Sequence, residues 1–174
     1  MTAENDTLIP LLTFHWGEEV YAVPLAAVHE VARPSRMTPV PGNSRTVIGA
    51  IVLHGEVLPV ADVRGVLGLA VPPERTSMGH VIVVRDRGNP ADLIGLHVDA
   101  IGKVLHVQEA EIRVQEDGPQ SPSSGFFSGY VQSQDGDVIR VLYLPQVLGA
   151  LLGGPGGTPK RGCATGIYGA QQII

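Results

Sequence analysis

Six histidines, at positions 15, 29, 54, 80, 97 and 106, are the side chains of this sequence best suited to chemistry near neutral pH, and they are scattered rather than clustered. His97-Val98-Asp99 places an imidazole and a carboxylate two residues apart, on one face of an extended strand. Zinc would need one or two further ligands, and no motif supplies them. A metal-dependent enzyme using the His97/Asp99 region stands as the less favoured alternative. Gly102-Lys103 is followed by Val104, with His97 where a phosphate-binding loop would need glycine, so no such loop fits. No Gly-x-Ser-x-Gly elbow occurs. The lone cysteine, Cys163, lies in a flexible-looking stretch that offers no electropositive pocket. It cannot form an intrachain disulfide, which fits a reducing cytoplasm. These residues require no catalytic group, no cofactor and no metal, and point to a protein that binds.

Charge narrows the class of partner. The net charge is −5, and the arginines are spread along the chain with no cluster beyond Arg85-Asp86-Arg87. Aromatic residues make up 5% of the sequence, too few for a stacking platform, and no basic face is evident, so nucleic acid is not expected. No apolar run approaches the roughly 20 residues of a membrane span. The start, Met1-Thr2-Ala3-Glu4-Asn5-Asp6, lacks the basic opening of a signal peptide.

The elements that must position any binding site read as strands. Period-two alternation appears in Leu12-Thr13-Phe14-His15-Trp16 and in Glu19-Val20-Tyr21-Ala22-Val23. Val81-Ile82-Val83-Val84 is continuously apolar, as in a strand buried on both faces. Short strands between Gly and Pro turns predict an all-β fold of barrel or sandwich type. Helices should be few and short. Asp62 can cap a turn whose Val63, Val66 and Leu67 share a face, ended by Gly68. Pro145 suits a first helical position before Val147, Leu148, Leu151 and Leu152, with Gly153-Gly154 as the stop. Pro24-Leu25-Ala26-Ala27-Val28 suits a single turn.

An internal repeat organises these elements. Residues 56–69 align without gaps on residues 137–150, an offset of 81, with five of fourteen pairs identical. Glu19 to Val31 aligns more weakly on Asp92 to Val104, an offset of 73. The difference of eight residues is accommodated by the polar stretch Gln115 to Gly125. The chain therefore reads as two similar halves, about 11–70 and 80–152, within one unit spanning 11–152. A flexible N-terminus over 1–10 and a disordered Gly/Pro-rich tail over 153–174 are expected to flank it.

The order of several segments is similar to the CheW family. They include Gly17-Glu18-Glu19-Val20-Tyr21-Ala22-Val23-Pro24-Leu25, Val28-His29-Glu30-Val31, Pro39-Val40-Pro41-Gly42 and Ile48-Gly49-Ala50-Ile51. Gly55-Glu56-Val57-Leu58-Pro59-Val60-Ala61-Asp62-Val63-Arg64, the segment Ile94 to Val104 and Phe127-Ser128-Gly129-Tyr130 continue it. The resemblance covers about residues 10–152. It implies two intertwined five-stranded SH3-like β-barrels around a shared core, in a non-catalytic adaptor that joins chemoreceptor tips to the regulatory domain of a CheA-type histidine kinase. Such an adaptor is cytoplasmic, sits at receptor arrays beneath the inner membrane, and is a monomer that enters rings in complex. An adaptor of a pilus-motility or other chemosensory system is a close variant of the same reading.

The resemblance also implies a receptor-binding groove between the halves, with Val28, Glu30, Val31, Gly49, His54 and Gly55 at or near it. Val28 and Val31 are equally well explained as core residues. Glu30 is more telling, because a carboxylate in an apolar β segment needs water or a partner. Where the family has Asn-Leu-Arg-Gly, this chain has Val52-Leu53-His54-Gly55. The family's arginine would pair with the Glu30 position, so His54 is expected to contact Glu30 as a shorter, titratable substitute. Tyr143 stands where the family usually has a small polar residue.

Overall fold

The computed structural model describes residues 7–40, 46–73, 78–85, 93–114 and 125–152. Ten strands run in the order β1 (Leu8–Trp16), β2 (Glu19–Pro24), β3 (Val28–Ala32), β4 (Val47–Leu53), β5 (Glu56–Ala61), β6 (His80–Arg85), β7 (Leu93–Val98), β8 (Ala100–Gln108), β9 (Phe127–Gln132) and β10 (Val138–Leu142). One α-helix, α1 (Leu144–Leu152), follows, and single 3-10 turns occupy Leu25–Ala27 and Glu109–Glu111. The first strand starts at Leu8 and pairs with β8 through Leu8, Ile9 and Pro10, so the expected N-terminal boundary at residue 10 moves back to about residue 8. Pro145 is the second helical residue rather than the first. The tail 153–174, the Gly153-Gly154 stop, Pro41-Gly42 of the resembling segments and residues 115–124 of the polar stretch in the second half lie outside the described residues.

The strands form two five-stranded sheets, β8-β1-β2-β10-β9 and β3-β6-β7-β5-β4. Each draws strands from both halves of the sequence, so the halves are interleaved. The repeat explains the order. The offsets carry β2 onto β7, β3 onto β8 and β5 onto β10, and β1 and β4 then correspond to β6 and β9. Under that correspondence the first sheet's order becomes the second's. The parallel contacts agree residue for residue: Ala22 pairs with Val141 in one sheet, and its repeat equivalent Gly95 pairs with Val60, the equivalent of Val141, in the other. The chain is thus a pseudo-two-fold object built by exchange of strands.

Each sheet curls until its edges meet. A bridge between Thr38, beyond β3, and Ala50 of β4 closes one barrel, and a bridge between Arg113, beyond β8, and Tyr130 of β9 closes the other. Closure removes the free edges that would otherwise invite pairing with other chains. At the first bridge Gly49 has no room for a side chain, since a Cβ would lie 2.6 Å from Met37 Cγ and 2.8 Å from the Thr38 carbonyl oxygen.

Alternation sends one face of a strand into its own barrel; the other face of β1, β2, β6 and β7 turns toward the opposite barrel, while that of β4 and β5 near their hairpin is exposed. Ile9, Leu11, Ala22, Val131, Ile139 and Val141 fill the first barrel, while Ile51, Leu58, Val60, Val81 and Val83 fill the second. Between them lies a continuous core that includes Phe14, Trp16, Tyr21, Val23, Ile82, Val84 and Leu96. The run Val81 to Val84 is fully buried because Val81 and Val83 face one core and Ile82 and Val84 the other. The shared core also receives Val63 and Leu67 from the turn after β5, and their repeat equivalents Leu144 and Leu148 from α1. Asp62 starts that turn as expected, accepting the Arg64 backbone N–H at 3.1 Å, and Gly68 ends it with φ +72°. At roughly 25 cal/mol per Å² of apolar surface, this central layer is the main force holding the barrels together.

A groove at the β4–β5 hairpin

The hairpin joining β4 to β5 pairs Leu53 with Glu56 and turns through His54 and Gly55. Both turn residues have positive φ, +49° and +84°. A two-residue loop with this backbone matches the right-handed twist of its strands. Glycine adopts it without strain, and histidine is among the few side chains that visit it with any frequency. Immediately below the tip, Val52 and Val57 lie opposite each other. The two residues are 71% and 75% exposed, which leaves a bare aliphatic pair on the outer face.

This hairpin forms one wall of a surface groove of about 530 Å³. The hairpin contributes Leu53, His54, Glu56 and Val57, with Leu58 and Pro59 behind them; β3 contributes His29 and Glu30. Leu93 and Ile94 of β7 form the floor. The groove sits on one barrel, and its walls nonetheless come from both halves of the sequence because the strands are exchanged. Across it, His54 Nε2 lies 3.0 and 3.2 Å from the two carboxylate oxygens of Glu30. An ionised carboxylate only accepts, so the ring carries a proton on Nε2, as that tautomer or as imidazolium. The His54 side chain is 76% exposed and Glu30 30%. A pair this open contributes about 0–1 kcal/mol to folding.

Of the residues expected near a groove, the structure brings Glu30 and His54 into contact, with Gly55 completing the tip. The others do different work. Val28 packs against the shared core. Val31 is 41% exposed but does not line the groove. Gly49 permits barrel closure. His29, Glu56, Val57 and the β7 floor did not stand out in the sequence. Alternation around Glu56-Val57-Leu58-Pro59 does carry a signal, since it places Leu58 inward and Val57 outward.

The pseudo-two-fold axis produces a counterpart on the other barrel. Val20, Tyr21, Asp137, Val138 and Arg140, the repeat equivalents of Leu93, Ile94, Glu56, Val57 and Pro59, line a hollow of about 300 Å³ with Glu18 and Glu19. Its chemistry differs: a cation replaces proline and carboxylates line the rim. Arg140 lies 5.8 Å from the Phe127 ring centroid. Tyr21 Oη donates to Glu19, and burial, aided by that bond, pushes the phenol well above the usual tyrosine range.

His97 and Asp99 are occupied elsewhere. His97 is 1% exposed, and its carbonyl oxygen accepts the Trp16 indole N–H at 2.9 Å. Asp99 Oδ2 accepts the Gly17 N–H at 2.7 Å and faces Arg64 Nη1 at 3.4 Å. Arg64 is buried against Asp62, with Nε–Oδ1 at 3.0 Å and Nη2–Oδ2 at 2.6 Å. Hydrogen bonds to Asp62 raise the guanidinium's pKa and keep it charged. The set ties the end of β5 to the β7–β8 junction and the β1–β2 turn, where the two barrels meet. Among the described residues no group of three or more His, Cys, Asp or Glu is placed to hold a metal ion. No described helix is long and apolar enough to cross a membrane.

Paired five-stranded barrels, joined by a shared core and built from interleaved halves, define the architectural class of this chain. Residues 10–151 match the CheW-like domain. The chain belongs to the CheW family. It is 31% identical over 138 residues to the chemotaxis protein CheW of Rhizobium meliloti (strain 1021), covering 79% of this chain and 85% of that protein. It is 32% identical over 120 residues to chemotaxis protein CheW of Bacillus subtilis (strain 168), covering 69% and 74%. The crystal structure of scaffolding protein TtCheW from Thermoanaerobacter tengcongensis superposes with a TM-score of 0.68 at 24% identity, over 84% of this chain and 92% of that one, and supports the fold.

Proposed function

We propose that this chain is a non-catalytic adaptor that couples chemoreceptors to a CheA-type histidine kinase at receptor arrays on the cytoplasmic face of the inner membrane. Family membership supports the general role. The observation that carries the specific reading is the groove, with the exposed Val52–Val57 pair beside the Glu30–His54 contact. A receptor's helical hairpin presents aliphatic residues at helical spacing with polar flanks, which suits an aliphatic floor and a charged rim. The ends of the barrels away from the groove are left for the kinase regulatory domain, and contacts at both allow a monomer to enter a ring. The role requires neither cofactor nor metal.

Binding measured separately to a receptor cytoplasmic tip fragment and to the kinase regulatory domain tests this. Val57→Glu should change folding stability by less than about 0.5 kcal/mol, because the side chain is exposed. It should weaken the receptor fragment about tenfold or more while leaving the kinase domain unaffected. Unchanged receptor affinity in this variant would rule out the groove as the receptor site. Binding to neither partner would contradict the adaptor role.

A further inference from the structure

The groove's two walls come from opposite edges of one sheet, β3 at one end of the strand order and β4 at the other. Main-chain hydrogen bonds of 2.8 Å between Thr38 and Ala50 tie those edges together. The Glu30–His54 contact is a second tie, made by side chains across the groove. Its strength depends on a proton. Histidine changes charge between about pH 5 and 8, and His54 is exposed enough to exchange protons freely with solvent. As imidazolium the ring has both charge and hydrogen bonding toward Glu30. As neutral imidazole it keeps at most the hydrogen bond.

The other charged and titratable groups around the ring reinforce this. Glu56, from the hairpin itself, adds a second carboxylate to the groove lining. His29 of β3 also lines the groove, but its Nδ1 lies 3.3 Å from Arg85 Nη2 on β6 and accepts from that guanidinium, so its contact is with β6 rather than with the hairpin. The residues of β7 in the lining, Leu93 and Ile94, are uncharged. His54 is therefore the ring whose protonation changes the tie between the walls.

We propose that His54 makes docking in this groove pH-dependent: the imidazolium–Glu30 pair holds the two walls in their docking geometry, and affinity falls as rising pH deprotonates the ring. This rests on the reading of the groove as the receptor site and adds a regulation to it. The mechanism is pre-organisation, in which a groove already tied across loses less freedom when a partner enters. Because the pair is exposed, the effect is about two- to fivefold in affinity rather than all-or-none.

The test is titration calorimetry of the full chain with a receptor cytoplasmic tip fragment between pH 5.5 and 8.5. Wild type should lose about two- to fivefold in affinity across that range. His54→Arg, with a permanent cation, should be nearly flat at the low-pH affinity. His54→Asn tolerates the left-handed backbone and cannot titrate, so it should be flat at the high-pH affinity. Glu30→Gln should abolish the pH dependence, and His29→Gln should retain it. Tight binding that is flat with pH in wild type, or a dependence that survives in His54→Asn and disappears in His29→Gln, would overturn the proposal and leave the receptor reading intact. Absence of binding at every pH would overturn both.

Discussion

Arg64 shows how one buried side chain can tie together elements distant in sequence. It is 3% exposed, pairs with Asp62 at 2.6 Å and reaches Asp99 at 3.4 Å, where the two barrels meet. Removing one partner of such a pair strands the other as a buried charge. Arg64→Ala should therefore cost about 3–5 kcal/mol in urea denaturation, a large share of a typical domain's stability. Tyr21 offers a pH test at the same scale. Its phenol titrates higher in the folded protein than in the unfolded chain, mainly through burial and secondarily through the bond to Glu19. A raised folded value means the stabilisation is complete below the unfolded value of about 10 and is lost as pH rises above it. The urea midpoint should fall between pH 9 and 11, and fall less in Tyr21→Phe. Asp62 could be read from sequence as the cap of a turn, but its pairing with Arg64 could not. Nor could the approach of Asp99 and Gly17, because those contacts join residues 35 and 82 positions apart.

Strands and turns were more legible than side-chain partners, because their signals are local. Alternation over Leu12 to Trp16 and the unbroken run Val81 to Val84 both marked strands, but β1 is buried on both faces like β6, because Thr13 between Leu12 and Phe14 is covered as well. The Asp62 turn and the Leu25–Ala27 turn also appeared where their residues required them. The repeat went further, since its two offsets state which strands are equivalent and so reproduce the order of one sheet from the other. Edges were read less well: the start of β1 and the helical position of Pro145 moved by one to three residues, set by pairing with β8 and by the end of β10. Strand exchange carries a consequence of its own. A chain cut at the 74–77 connection yields two pieces, neither of which holds all the strands of either sheet. Each piece alone should lack cooperative thermal unfolding by circular dichroism, and the two co-expressed should co-purify as a folded pair.

At the scale of the whole molecule, pseudo-symmetry gives two equivalent surfaces with different chemistry. One is a groove lined by Val57, with exposed Val52 beside it and a Glu30–His54 rim. The other is a smaller hollow rimmed by carboxylates and holding Arg140. An adaptor needs this combination: one rigid frame, a continuous core to fix the distance between sites, and surfaces distinct enough to avoid exchanging partners. The proposed adaptor role requires that the chain bridge two proteins at once. Size-exclusion chromatography with light scattering, on a mixture of the chain, a receptor cytoplasmic tip fragment and the kinase regulatory domain, tests it directly. A single complex containing all three is expected, with Val57→Glu releasing the receptor fragment and leaving the chain–kinase pair intact. Mutually exclusive pairwise complexes, or a chain that elutes alone, would contradict it.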